Sequence, residues 1–216
     1  TPGKAAPLPE SAAVTAAPSH ATAPAHATAK LALVPHPATP AGPVQAVDAH
    51  LAWRGTGPEA KLELHYRVHG RIAALRVPAP QPPGPADNLW QHLCLEAFFS
   101  AGDGSYHEFN FSPSGQWAAY RFSTPRVRDA AQPGLAIQPQ LLLARDGHTL
   151  SLTATLPLAA LPRLTTGMGT WRVGLTAVIE PLDGPISYWA LAHPAPKPDF
   201  HQASGWTLPL TPPRSP

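Results

Sequence analysis

Apolar and polar residues alternate with a period of two through much of this chain, the pattern of strands buried on one face. Between residues 61 and 69, Leu62, Leu64, Tyr66 and Val68 share one parity, while Lys61, Glu63, His65, Arg67 and His69 share the other. The first set reads as a core face and the second as a solvated outer face. Comparable runs recur about every ten to fifteen residues, which predicts short strands in series. They fall near Val47–Trp53, Lys61–His69, Ile72–Val77, His92–Phe99, Tyr106–Ser112 and Gln116–Phe122. Further runs lie near Leu135–Ala144, His148–Leu156, Trp171–Glu180, Ile186–Ala190 and Trp206–Leu210. Gly, Pro and Asp separate them, as in Gly102-Asp103-Gly104, Pro113-Ser114-Gly115, Asp146-Gly147 and Asp183-Gly184. Only Pro157 to Leu164 reads as a helical turn. Evenly spaced strands with turn chemistry between them predict an all-β, antiparallel β-sandwich.

Three runs carry unusual outer faces. Trp90, His92, Cys94, Glu96 and Phe98 share one parity, against a core set of Leu93, Leu95, Ala97 and Phe99. The next run sets Tyr106, Glu108, Asn110 and Ser112 against Phe109 and Phe111. Later, Thr176, Val178 and Glu180 alternate with Val173, Leu175, Ala177 and Ile179. Aromatic and polar groups thus gather on the side away from the core.

Composition divides the chain. Residues 1–43 are mostly Ala, Pro, Thr, Ser and His, with Leu31, Leu33 and Val34 as the main apolar cluster. Such a segment buries too little surface to offset its ordering entropy, so a disordered tail is expected there, followed by one domain over 44–216. No run of about eighteen apolar residues exists, so no membrane-spanning helix is predicted. The net charge is +2 with Lys and Arg scattered, which gives no electrostatic footprint for nucleic acid. The one cysteine, Cys94, reads as a small buried hydrophobe. No signal-peptide pattern is visible at Thr1, which leans the expected location towards the cytoplasm.

The candidate chemistry is recognition rather than reaction. A sugar ring has apolar C–H faces and a hydroxyl rim, so it needs aromatic platforms and fixed hydrogen-bonding groups. Trp90 and Trp189, with Trp117 or Tyr188, offer platforms; Glu96, Glu108, Asn110, Glu180 and Arg121 offer the bonds. Core packing is the competing reading of each Trp. It is favoured for Trp53, Trp171 and Trp206 and left open for Trp90 and Trp189. Glu96 interrupts an apolar strand and must be paired or face a cleft; tying a loop is its alternative role. His92, His193 and His201 show no metal-ligand spacing, so no metal is expected. Three prolines between His193 and His201 predict a rigid loop ordered by His193, Lys197, Asp199 and His201. Ser112-Pro113-Ser114-Gly115 is not a nucleophile elbow and no phosphate loop is present, so no catalysis is expected.

The succession LWQHLCLEAFF, YHEFNFSPSGQWAAYRF, LSLTATLPLAAL, GTWRVGLTAVIE and SYWALAHPAPKPDFHQASGWTLPL resembles the DOMON-like superfamily over about Leu62 to Leu210. Family 9 carbohydrate-binding modules and bacterial DOMON-like domains are the nearest in pattern. The resemblance implies a jelly-roll sandwich that binds carbohydrate or a similar small polar ligand. It maps the sugar-clamping pair onto Trp90 and Trp189, the rim carboxylate onto Glu96, and the end of the adjacent aromatic strand onto Asn110. The loop Ala192 to His201 is longer and richer in Pro than in a plain sugar module. Other members of the superfamily hold a b-type haem between a Met and a His or Lys. Here the sole Met, Met168, sits in a predicted loop, so haem is the second reading. A sandwich whose aromatics serve packing or protein interaction is the third.

Overall fold

The computed structural model describes residues 26–131, 137–161 and 169–213. Its strands are β1 (His26–Ala27), β2 (Leu31–Pro35), β3 (Val44–Arg54), β4 (Lys61–Gly70), β5 (Gly84–Pro85), β6 (Cys94–Ser100) and β7 (Tyr106–Phe111). They continue as β8 (Gln116–Thr124), β9 (Val127–Arg128), β10 (Gln140–Arg145), β11 (Thr149–Pro157), β12 (Trp171–Ile179), β13 (Ser187–Ala190) and β14 (Leu208–Leu210). Helical structure among the described residues is limited to single 3₁₀ turns, one of them at Leu158–Ala160 inside the predicted helical stretch.

Neighbouring strands join into one continuous path, β10-β11-β4-β3-β2-β13-β12-β6-β7-β8-β5. Strands β1, β14 and β9 are added on β3, β12 and β8. The path curls until its two halves share one core. Tyr66 of β4 donates its hydroxyl to the backbone carbonyl of Glu96 on β6 at 2.7 Å, and the rings of Trp53 and Trp171 lie 6.0 Å apart. The fold is all-β, as expected, but the expected division into two wholly antiparallel sheets is not what forms. Strand β2 pairs with β3 on one side and β13 on the other, stitching the halves together, and β5 joins β8 in parallel.

The alternation expected along β4 holds, with Leu62, Leu64, Tyr66 and Val68 fully buried in the core. Gly115 and Gly184 take φ of 91° and 104° in two predicted turns, a conformation open to Gly without a Cβ clash.

Three expectations need correction. Residues 31–35, assigned to the tail, form β2, whose Leu33 enters the core. Five residues suffice there because β3 and β13 both offer unpaired edges, so the backbone bonds replace the missing apolar surface. His26–Ala27, also within the expected tail, forms β1, and residues 1–25 lie outside the described residues. Ile72–Ala74 is a 3₁₀ turn rather than the start of a strand. Its buried residues, Ile72 and Leu75, are three apart, the repeat of a 3₁₀ turn. Finally, β6 begins at Cys94, not His92. The residues before it form a 3₁₀ turn, Leu89–Gln91, entered through Asn88 at φ 61° in the left-handed region that Asn tolerates.

Candidate functional site

Strands β6 and β7 are buried along their whole length, on both faces. The inward set packs in the core. The outward set forms a second apolar cluster of Phe98, Tyr106, Ala118, Tyr120, Phe122 and Trp206, with Phe200 against it. Trp206 lies over Gly174 of β12, where an ideal Cβ would collide with the indole. It stacks on Phe98 with ring centroids 5.7 Å apart and planes 14° apart. The 3₁₀ turn Ala203–Gly205 and an indole N–H bond to the Phe200 carbonyl, 2.9 Å, fix its position.

Beside this cluster opens a cavity of about 680 Å³. Its floor is Glu96 and Phe98 of β6, Glu108 of β7, Tyr120 and Phe122 of β8, and Val178 of β12. Around it stand Trp90 from the 3₁₀ turn, Tyr188 of β13, the β8–β9 hairpin with Arg126 and Arg128, and the loop Lys197 to His201. Trp90 is 47% exposed, an aromatic face open to a ligand.

Two carboxylates are sunk in that floor, Glu96 at 2% and Glu108 at 5% exposure. Glu96 accepts a bond from the Thr176 hydroxyl at 3.2 Å, and its other oxygen has no hydrogen-bond partner among the described residues. Glu108 accepts from the Asn110 side-chain amide at 3.0 Å. Burial, and then the neighbouring Glu108 charge, push the Glu96 carboxyl well above the usual carboxylate range. Burial raises Glu108 to about 7, against a smaller opposing pull from Asn110 and two arginines. On the acid side of neutral pH this floor therefore favours protonated carboxyls, which donate as well as accept hydrogen bonds.

A relay fixes the side wall. The Arg126 backbone N–H donates to the Tyr106 hydroxyl at 3.0 Å. The Tyr106 hydroxyl in turn shares a hydrogen bond of 2.7 Å with His201 Nδ1, and Nε2 of the same ring faces Glu108 at 3.8 Å. Burial, then the Arg126 charge, lower His201 to about 4, so the ring is neutral near pH 7. Arg126 is held at φ 63°, an uncommon conformation for a non-glycine residue. Its guanidinium pairs with Asp199 at 2.6 Å, while Asp199 also accepts the His201 backbone N–H and the Gln202 amide, each at 3.0 Å.

Among the residues singled out from sequence, Trp90, Glu96, Glu108, Lys197, Asp199 and His201 border the cavity. Trp189 does not. It is 3% exposed, packs in the core and donates its indole N–H to the Ser187 hydroxyl at 3.0 Å. Parity decides this, because Ser187 and Trp189 point inward on β13 and Tyr188 points to the cavity. Trp117 is likewise a core residue, bonded to the Ile137 carbonyl. Asn110 is fully buried behind Glu108 rather than on the cavity wall. Arg121 lies on the opposite parity of β8 from Tyr120 and Phe122 and pairs with Asp129 at 3.1 Å. Glu180 bridges Arg76 and His92, tying the segment ahead of β6. His193 donates to the Val34 carbonyl at 2.9 Å. His201 bonds a side chain, not the backbone. Tyr120, Phe122, Arg126, Arg128 and Phe200 join the site without having been expected there; the shared parity of Ala118, Tyr120 and Phe122 was the available signal for the first two.

No protein-family model matches the chain, and no curated protein does either. Among solved structures, a proposed carbohydrate-binding protein of Bacteroides uniformis is similar in fold. It aligns over 85% of this chain and 85% of its own, with a TM-score of 0.61 and 19% sequence identity. At that identity the likeness carries the fold alone.

A b-type haem would need two axial ligands facing each other across an apolar slot. Among the described residues no thioether borders the cavity, its one imidazole is already held by Tyr106, and its floor is a pair of acids. These residues do not fit a haem clamp; Met168 lies outside the described residues.

Proposed function

We propose that this chain is a non-catalytic, DOMON-like module that binds carbohydrate in the cavity over β6, β7 and β8. The observation that carries the reading is the joint placement of an open indole, Trp90, and two buried carboxyls, Glu96 and Glu108, on one cavity. The indole suits the apolar face of a sugar ring, and the protonated acids suit its hydroxyl rim. A volume of about 680 Å³ lies in the range of small-molecule sites. The fold likeness to a proposed carbohydrate-binding protein lends support in the same direction. A jelly-roll arrangement of the curled sheet belongs to this reading.

Stacking contributes only a few kcal/mol and hydroxyl bonds largely replace bonds to water, so affinity falls between micromolar and millimolar, roughly 4 to 8 kcal/mol. Screening the purified chain on a glycan array, followed by calorimetry, tests this. Trp90→Ala is expected to weaken binding at least about ten-fold, a loss on the scale of one stacked ring. Binding that ignores both Trp90→Ala and Glu96→Gln would place the ligand elsewhere.

A further inference from the structure

The charges around the cavity do not cancel. Asp199 is the only acid of the rim among the described residues, and its carboxylate is occupied by Arg126 at 2.6 Å and by two further N–H donors. The two floor acids are buried, and that burial favours their uncharged forms below about pH 7. Two cations remain. Arg128 lies over the Tyr120 ring, 4.0 Å from its centroid, a contact that leaves guanidinium N–H groups free for hydrogen bonds. Lys197 sits on the opposite loop and has no acidic partner among the described residues. Both are solvent-exposed at the cavity mouth.

A neutral polyhydroxylated ring offers these two cations only hydroxyl oxygens as acceptors. A ring that carries a carboxylate gains a charge-assisted bond at each, while its hydroxyls meet the protonated floor. We propose that the ligand is an acidic sugar of the uronic acid class, its carboxylate held by Arg128 and Lys197 while its ring stacks on Trp90. The inference rests on the carbohydrate reading above and adds the charge of the ligand to it.

Calorimetric titration of the full chain with glucuronate and galacturonate, against glucose and galactose, and with array oligosaccharides of both kinds, tests it at pH 6 and low salt. Uronates are expected to bind about ten-fold more tightly than their neutral parents, with the advantage shrinking in 0.5 M NaCl as the screening length falls to a few ångströms. Arg128→Gln and Lys197→Gln are each expected to bring the uronate-to-neutral ratio towards one. Arg67→Gln, on the outer face of β4, leaves the ratio unchanged and controls for net charge. Equal or tighter binding of the neutral sugars overturns the acidic-ligand inference while leaving the carbohydrate reading in place. Failure of every acidic and neutral sugar overturns both.

Discussion

The two halves of the curled sheet share a core but treat their outer faces in opposite ways. On β4 and its neighbour β11 every second residue is buried and those between are exposed or partly exposed, among them Lys61, Glu63, Arg67 and Thr153. On β6 and β7 every residue is buried. The outer face of β4 and β11 is open to solvent; that of β6 and β7 is covered by Trp206, Phe200 and the loop leading to His201. Carboxylates show the difference most clearly. Glu63 on β4 meets Arg54 and is held below its usual range by that bond, whereas Glu96 and Glu108 are desolvated and pushed up. Desolvated acids inside a strand buried on both faces cost this fold stability, which is where a binding site of the proposed kind would be expected.

The sharpest way to break this contrast is to remove a Trp from each environment. Trp189 is sealed in the core, so Trp189→Ala is expected to cost about 3–5 kcal/mol of stability through lost transfer energy and a residual cavity. Trp90, at 47% exposure, is expected to cost less than about 0.5 kcal/mol on truncation to Ala. Urea unfolding of both variants reads the difference directly. Equal losses would mean that Trp90 is a structural residue and not an open platform.

The pH dependence of stability sharpens the contrast on the acid pair. Glu108 has a folded value of about 7 against an ordinary 4.5, so the folded chain holds the extra proton between them and stability falls as pH rises through that window. Glu96 acts in the same direction. His201 acts in the opposite sense: at about 4 folded against 6.5, its proton is taken up by the unfolded chain, and stability is lost as pH falls from 6.5 towards 4. The groups facing Glu108 are Glu96 of β6, Asn110 of β7, Tyr120 of β8, His201 of the loop, and Arg126 and Arg128 of the hairpin. Glu108→Gln removes the desolvated charge. It is expected to raise stability at pH 8 by on the order of 2 kcal/mol and to flatten the alkaline limb of the curve. An unchanged limb, followed by thermal unfolding from pH 5 to 9, would show that Glu108 is hydrated and ionised in the folded chain.

Much of this contrast was legible in the residues. Alternation on β4, β7, β11 and β12 told inside from outside, because a period of two leaves little freedom once one face is apolar. The same rule, carried back past His92, set Trp90 on the side of Glu96, and both border the cavity, although Trp90 stands in a 3₁₀ turn and not in a strand. Placement by family position misled on β13, where the resemblance chose Trp189 and alternation would have chosen Tyr188. Arg126, Arg128 and Phe200 reach the cavity from a hairpin and a loop, and no local period encodes where such segments return. Strand β2 was hidden for a different reason. One of its two partners, β13, lies far along the chain, and edge pairing supplies what its composition lacks.

The smallest expected effect lies on the solvated half. Arg54 and Glu63 form a two-pronged pair, 2.9 and 3.2 Å, on the outer face between β3 and β4. Such a pair gains Coulomb energy in a high dielectric and gives up side-chain freedom, so its net contribution is below about 1 kcal/mol. The Arg54 bond lowers the Glu63 carboxyl, so its contribution is present above the ordinary carboxylate range of pH. It is lost as pH falls through the folded value, at the acid end where Glu108 and Glu96 are already protonated. Glu63→Gln is therefore expected to reduce stability at pH 7 by less than about 1 kcal/mol, and the loss should shrink further in 0.5 M NaCl. Thermal unfolding at the two salt concentrations measures it. A salt-insensitive loss as large as that of Trp189→Ala would mean that the outer face of β4 is as tightly specified as that of β6, and the division between a solvated half and a recognition half would not hold.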